Sequence, residues 1–219
     1  MIYAYGICEP EVAAASRRLR GLGGATLRTL EGDGVAAVYS RHRSLRPRPS
    51  LEFVLAHERV VEAIMSHGDV LPMRFGTQLA SEERLAEALA ERREALLRAL
   101  ERVHGHVELG LRVISESTSE GAHTHQSGRE YLLARAAQHR RADVAARELH
   151  APLASLAAAS VVRERPGPPA VLAAAYLVDH RRVDEFRARA EELAARQEQL
   201  RVVVTGPWPP YNFSAERPR

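Results

Sequence analysis

The sequence predicts an α+β fold of two domains, each an antiparallel sheet carrying helices. Three observations lead to this. The order strand–helix–strand–strand–helix–strand occurs twice along the 219 residues. In each copy a glycine- or proline-rich turn, GDG or PGPP, separates the two middle strands, as a hairpin requires. Hydrophobic residues make up 45% of the chain against 27% charged, enough apolar side chain for a true core.

In the first copy, IYAYGI (2–7) reads as a strand. PEVAAASRRLRGL (10–22) reads as a short helix with Pro10 in the first turn, where a missing N–H is tolerated. ATLRTLE and VAAVYSR are strands on either side of GDG, whose glycines tolerate positive φ. Residues 49–68 make the second helix, with Leu51, Val54, Leu55, Val61, Ile64 and Met65 on one side and Gly68 as its stop. DVLPMRFG (69–76) closes the set as a strand that Pro72 confines to an edge or a strand end.

The pattern returns with the strand HVELGLRVI (106–114), a long alanine-rich helix from about Gly128, and a strand at AASVVRER. After PGPP come the apolar strand AVLAAAYLV and an amphipathic helix with Val183, Phe186, Ala190 and Leu193 at three-and-four spacing. The three valines of LRVVV read as a buried closing strand. This order is that of two ferredoxin-like domains, each with its helices on one face of the sheet. The repeat lies in element order, not in residue identity.

A joining helix, about 81–103, has Ser81 as N-cap, Glu82 and Glu83 at the positive end of its dipole, and a seam of Leu85, Leu89, Leu96, Leu100 and Val103 interrupted by Arg92. Leu132, Ala136, His139, Ala146, Leu149 and Leu153 form a similar narrow stripe. Each helix is expected to pack on a sheet for part of its length, the excess serving a short antiparallel coiled coil or a partner. The expected organisation is residues 1–80, a first domain; 81–105, a connecting helix; and 106–219, a second domain with long helices and a tail.

No run approaches 18 apolar residues, so no transmembrane helix is expected, and MIYAYGICEP lacks the basic start of a signal peptide. The lone Cys8 suits a reducing cytoplasm and reads as a small buried side chain. All 31 basic residues are arginine, yet the net charge is only +3 because acids are interleaved with them. The dense stretch SRHRSLRPRPS (40–50) has no interleaved aromatics, which favours a solvated loop over a phosphate-binding patch. An anion- or nucleic-acid-binding module built on this loop is the alternative function.

Candidate chemistry is sparse. His104 with His106, and His123 with His125, have chelating spacing but no accompanying cysteine or well-spaced carboxylate, so they read as solvated histidines. HERVV lacks the second histidine of a zinc-protease helix, leaving Glu58 as a surface or capping carboxylate. RGLGGA follows a helix and precedes a strand, the reverse of a nucleotide-binding loop. No catalytic residues, cofactor or metal are expected. Arg74, inside an apolar strand beside Phe75, is expected to be buried and paired with Glu58 or Glu62, since an unpaired buried charge is costly.

Three segments together resemble the GvpL/GvpF family of gas vesicle proteins: HERVVEAI…DVLPMRFGT, SGREYLLAR and VVVTGPWPPYNF. The resemblance runs over nearly the whole chain. It implies an N-terminal ferredoxin-like domain, a C-terminal domain with long helices, and an accessory role in vesicle formation without catalysis. It also implies association with the GvpA-type shell protein and other Gvp accessory proteins, in the cytoplasm and at the gas vesicle. The motif positions are Leu71, Pro72, Arg74, Phe75, Gly76 and Thr77; Gly128, Tyr131, Leu132 and Arg135; and Gly206, Pro207, Trp208, Pro209, Pro210, Tyr211 and Phe213. The tail puts three of the chain's 11 aromatic residues into one short segment. Monomers seldom expose such a patch, so the tail is expected to fold back on its own chain with Trp208 buried, in preference to the alternative of a free partner-docking arm.

Overall fold

The computed structural model describes residues 1–43, 50–115, 148–163, 170–197 and 200–214, with Arg129 and Val144 besides. The chain divides into two compact units, Met1–Val107 with Trp208–Arg219, and Glu108–Pro207. The connecting helix region thus groups with the first unit, as does the tail.

In the first unit, β1 (Ile2–Cys8) is followed by α1 (Pro10–Ala15), β2 (Leu27–Gly32), β3 (Val35–Arg41), α2 (Leu51–Met65), β4 (Val70–Pro72) and β5 (Gln78–Leu79). The sheet runs β2-β3-β1-β4, with β5 also on β1, and all its pairs are antiparallel. Asp33 and Gly34 make the β2–β3 turn, Gly34 taking the positive φ (82°) that a tight hairpin needs. Ser50 caps α2 by accepting the Phe53 N–H, and the helix stops at Met65, short of Gly68.

The closing strand is shorter than the sequence suggests. It ends at Pro72 and ladder pairing resumes only at Gln78; Met73 still donates its N–H to the Tyr5 carbonyl at 2.8 Å, and residues 74–76 loop away from β1. Gly76 turns this loop with φ 90°. Opposite it, β1 carries an irregularity between Ala4 and Gly6. The Ala4 N–H still reaches the Thr77 carbonyl at 3.0 Å, so the loop is held.

Every residue of β1 is buried, so both faces of this sheet are covered. Tyr3, Tyr5, Ala36 and Val38 pack with Val12, Val60, Val61 and Ile64 of α1 and α2. The alternate residues Ile2, Ala4, Val35, Ala37 and Tyr39 are buried too. Their cover is the joining segment, which forms two helices, α3 (Glu82–Glu91) on β2 and α4 (Arg93–Val103) against β3 and β4. The break falls at Arg92, with φ −108° and ψ 10°. All five seam residues, Leu85, Leu89, Leu96, Leu100 and Val103, are buried. Helices on one face only, the arrangement the element order suggests, therefore does not hold for this sheet.

In the second unit, β6 (His106–Ser115), β7 (Ala159–Val162), β8 (Ala170–Asp179) and β9 (Leu200–Trp208) form a sheet of order β7-β8-β6-β9, with α5 (Val183–Ala194) between β8 and β9. Leu109, Leu111, Val113, Leu172, Tyr176 and Val178 alternate inward and pack on Phe186, Ala190 and Leu193 of α5. Leu149 and Leu153, in helical residues 148–154, join this same core. The remainder of that stripe, Leu132, Ala136, His139 and Ala146, lies outside the described residues. β9 is longer than LRVVV and runs through Gly206 and Pro207; at a sheet edge proline costs no ladder bond. The same edge position leaves Val202, Val203 and Val204 half-buried instead of buried.

Candidate functional site

The polar centre of the first unit is His57 of α2, fully buried. Its Nε2 lies 2.9 Å from the Met73 carbonyl oxygen and its Nδ1 3.0 Å from Tyr3 Oη. A carbonyl can only accept, so Nε2 carries the proton and Nδ1 accepts the Tyr3 O–H. Tyr3 Oη in turn accepts the Gly76 N–H at 3.0 Å. The histidine ring stacks on Tyr5 at 24° and meets Phe75 edge-on at 85°. Burial lowers the His57 pKa, partly opposed by the Met73 carbonyl, and pushes Tyr3 up to about 12. A neutral imidazole thus fastens the 73–77 loop to β1 and α2.

Tyr5 continues the network. Its Oη accepts the Leu22 N–H at 2.8 Å and is hydrogen-bonded with Ser40 Oγ at 2.9 Å, which reaches His42 Nε2 at 2.8 Å. A Cβ on Gly21 would stand 2.1 Å from Tyr5 Oη, so only glycine leaves room for the hydroxyl.

Glu58, the next residue of α2, holds the tail. Tyr211 Oη donates to Glu58 Oε1 at 3.0 Å, and Arg102 Nη2 donates to the Phe213 carbonyl at 2.9 Å. Burial, with Glu62 adding to it, raises the Glu58 pKa against the lowering effect of the Tyr211 hydroxyl. Burial first, then the Glu58 charge, drives the Tyr211 pKa up. His57 and Glu58 therefore anchor two of the three motif segments on adjacent residues of one helix. The sequence reading took Glu58 as a surface or capping carboxylate or a partner of Arg74, not as the anchor of the tail, and gave His57 no role. The missed signal is a histidine within an apolar-spaced helix face, beside tyrosines in a wholly apolar strand.

Of the first motif, Leu71 and Pro72 are buried, Phe75 and Thr77 half-buried, and Gly76 and Arg74 exposed. Arg74 is not the buried, paired cation expected: it lies in the loop, not in a strand, and its charge faces solvent. Its carbonyl accepts the Thr77 N–H and hydroxyl. Gly128, Tyr131, Leu132 and Arg135 lie outside the described residues, as do His123, His125 and residues 44–49 of the arginine loop. In the tail, Pro209, Pro210 and Phe213 are buried and Tyr211 is half-buried, while Gly206 has φ 103° and Pro207 is exposed.

Trp208 corrects a second expectation, since it is 43% exposed. The fold-back is made by the residues after it, because Trp208 is still the last residue of an edge strand.

His104 Nδ1 is 2.6 Å from Asp69 Oδ2, and His106 Nδ1 donates to the His104 carbonyl at 2.6 Å. Among the described residues no three His, Cys, Asp or Glu side chains could together hold a metal ion. Cys8 is buried and its thiol is pushed up to about 12 by that burial. At the start of α3, Glu82 accepts from Tyr39 and Arg41, and these bonds hold its carboxyl down to about 2. Among the described residues no helix is long and apolar enough to cross a membrane.

Fold and site together define an α+β protein of two antiparallel-sheet units, in which His57 and Tyr3 fasten a loop of the first unit and Glu58 holds the tail. The crystal structure of the gas vesicle protein GvpF from Anabaena sp. PCC7120 has this fold, with a TM-score of 0.80 over 99% of this chain and 96% of that one, at 20% identity. GvpF from Microcystis aeruginosa superposes with a TM-score of 0.77 at 19% identity, over 98% and 99% of the two chains. The chain belongs to the GvpL/GvpF family, described as gas vesicle synthesis protein GvpL/GvpF, which matches residues 1–215. Gas vesicle protein F2 of Halobacterium salinarum is 31% identical, covering 97% of this chain and 91% of its own length. Gas vesicle protein L of a Streptomyces species is also 31% identical, covering 97% and 92%. These two relatives, one F-named and one L-named, are thus equally identical to this chain.

Proposed function

We propose that the protein is a non-enzymatic assembly factor that binds the GvpA-type shell-forming subunit and other vesicle proteins, in the cytoplasm and at the growing gas vesicle. In this role it supports nucleation or growth. The observation that carries this reading is the family match over residues 1–215. The physical rationale is that a subunit destined to polymerise into a wall presents apolar surface before it assembles, and a binder that covers that surface prevents misassembly.

The reading treats each unit as a ferredoxin-like sheet, which the strand orders β2-β3-β1-β4 and β7-β8-β6-β9 support. It divides the motif residues by exposure. Leu71, Pro72, Pro209, Pro210, Tyr211 and Phe213 hold the fold, and among the described motif residues the exposed Arg74, Gly76, Pro207 and Trp208 are available to partners. Co-expression with the shell subunit followed by pull-down tests the proposal. Capture should persist in EDTA and at high salt, because apolar contact does not depend on counterion release. Absence of capture, or capture that needs added zinc, would overturn it.

A further inference from the structure

In the second unit, β9 has β6 on one side and, among the described residues, no strand on the other. An edge strand turns the N–H and C=O groups of alternate residues away from its sheet. Such edges are usually guarded by charge, proline or a bulge. Arg201 is exposed and charged, but strand alternation sets it on the face opposite Val202 and Val204; Val202, Val203 and Val204 carry no charge and are half-buried, and Pro207 comes only after them. Arg187 Nη2 donates to the Gly206 carbonyl at 2.5 Å, tying the far end of the strand to α5. Among the described residues the open stretch is therefore Leu200–Thr205.

Beside it runs a groove of about 390 Å³ between α5 and β9, lined by Ala190, Ala194, Val202 and Val204 with Arg187 and Glu191. The two alanines keep it open. Its single cation and single anion offset one another, so the lining favours an occupant that is apolar and uncharged at its centre. The outward main-chain groups repeat at the spacing of a strand and match only another extended backbone, since a helix satisfies its own.

We infer that the β9 edge takes an extended, apolar segment of the shell subunit as an added strand, its alternate side chains entering the α5–β9 groove. This rests on the assembly-factor reading and names the surface that carries it. Main-chain hydrogen bonds along Leu200–Thr205 supply affinity, and the groove selects side chains of moderate size.

The test uses the full chain and purified shell subunit, with amide hydrogen exchange as the readout. Saturating shell subunit should slow exchange at alternate residues of 200–205 at least tenfold. Ala194→Arg fills the groove, and arginine suits the last turn of a helix. This variant should melt like the parent and lose at least tenfold in capture. Capture by the parent with unchanged β9 exchange, or undiminished capture by Ala194→Arg, overturns the strand addition and leaves the assembly role standing. Protection of β9 by the protein alone as its concentration rises assigns the edge to a second copy and overturns the inference. Failure of the parent to bind the shell subunit overturns both.

Discussion

Replacing His57 with phenylalanine isolates what the buried network contributes to the first unit. The ring volume is nearly kept, so the stack on Tyr5 and the edge contact with Phe75 persist. The Met73 carbonyl and Tyr3 hydroxyl lose their partner where His57 and Tyr3 themselves are fully buried. A buried polar group left unsatisfied costs about 1–3 kcal/mol, and Tyr3 keeps the Gly76 N–H, so a loss of about 2–4 kcal/mol at neutral pH is expected. The pH dependence is more diagnostic. Burial lowers the folded His57 pKa, whereas the unfolded chain titrates near the ordinary value of 6.5. Below that value the unfolded state binds a proton that the folded state refuses, so the parent loses stability as pH falls, at up to about 1.4 kcal/mol per pH unit from this group. His42 and His150, also lowered by burial, act in the same direction. Glu58, raised by burial, acts in the opposite sense, with its window opening at the ordinary carboxylate value. Urea unfolding followed by the emission of Trp208, the sole tryptophan and part of the first unit, should therefore be less pH-dependent in His57→Phe than in the parent between pH 7.5 and 5.5. An identical pH slope in the two proteins would refute the neutral, doubly bonded histidine.

Gly21→Ala should destabilise the first unit by about 1–3 kcal/mol or prevent its folding, because the new methyl would collide with Tyr5 Oη; thermal melting that matches the parent would show the turn can shift freely. Phe213→Ala should cost about 3–5 kcal/mol in chemical denaturation, and Tyr211→Phe, which loses only the bond to Glu58, about 1–2. If the two variants are equally mild, the tail does not pack as described. Arg74→Ala should melt within about 0.5 kcal/mol of the parent, as an exposed side chain without a buried partner does, so any loss of shell capture in this variant would place Arg74 at the interface.

The sequence by itself determined, among the described residues, the alternation of strands and helices, because apolar periodicity and turn chemistry are local, but not the break at Arg92 or the splitting of the closing strand into β4 and β5. The hairpin glycines, the Ser50 and Ser81 caps and the buried seam of Leu85, Leu89, Leu96, Leu100 and Val103 could all be read this way. The three motif segments were also legible as a family resemblance, since such a likeness needs no coordinates. Only tertiary structure decided which of those residues are buried. Arg74 reads as a strand residue until the 73–77 loop is seen to leave β1, and Trp208 reads as core until β9 is seen to lie at an edge. The pairing of Tyr3 with His57, 54 positions apart, and of Tyr211 with Glu58, 153 apart, leaves no periodic trace in the chain. A hydrogen bond between distant residues is specified by the path of the backbone around them, and that path is set only when both faces of the first sheet are covered.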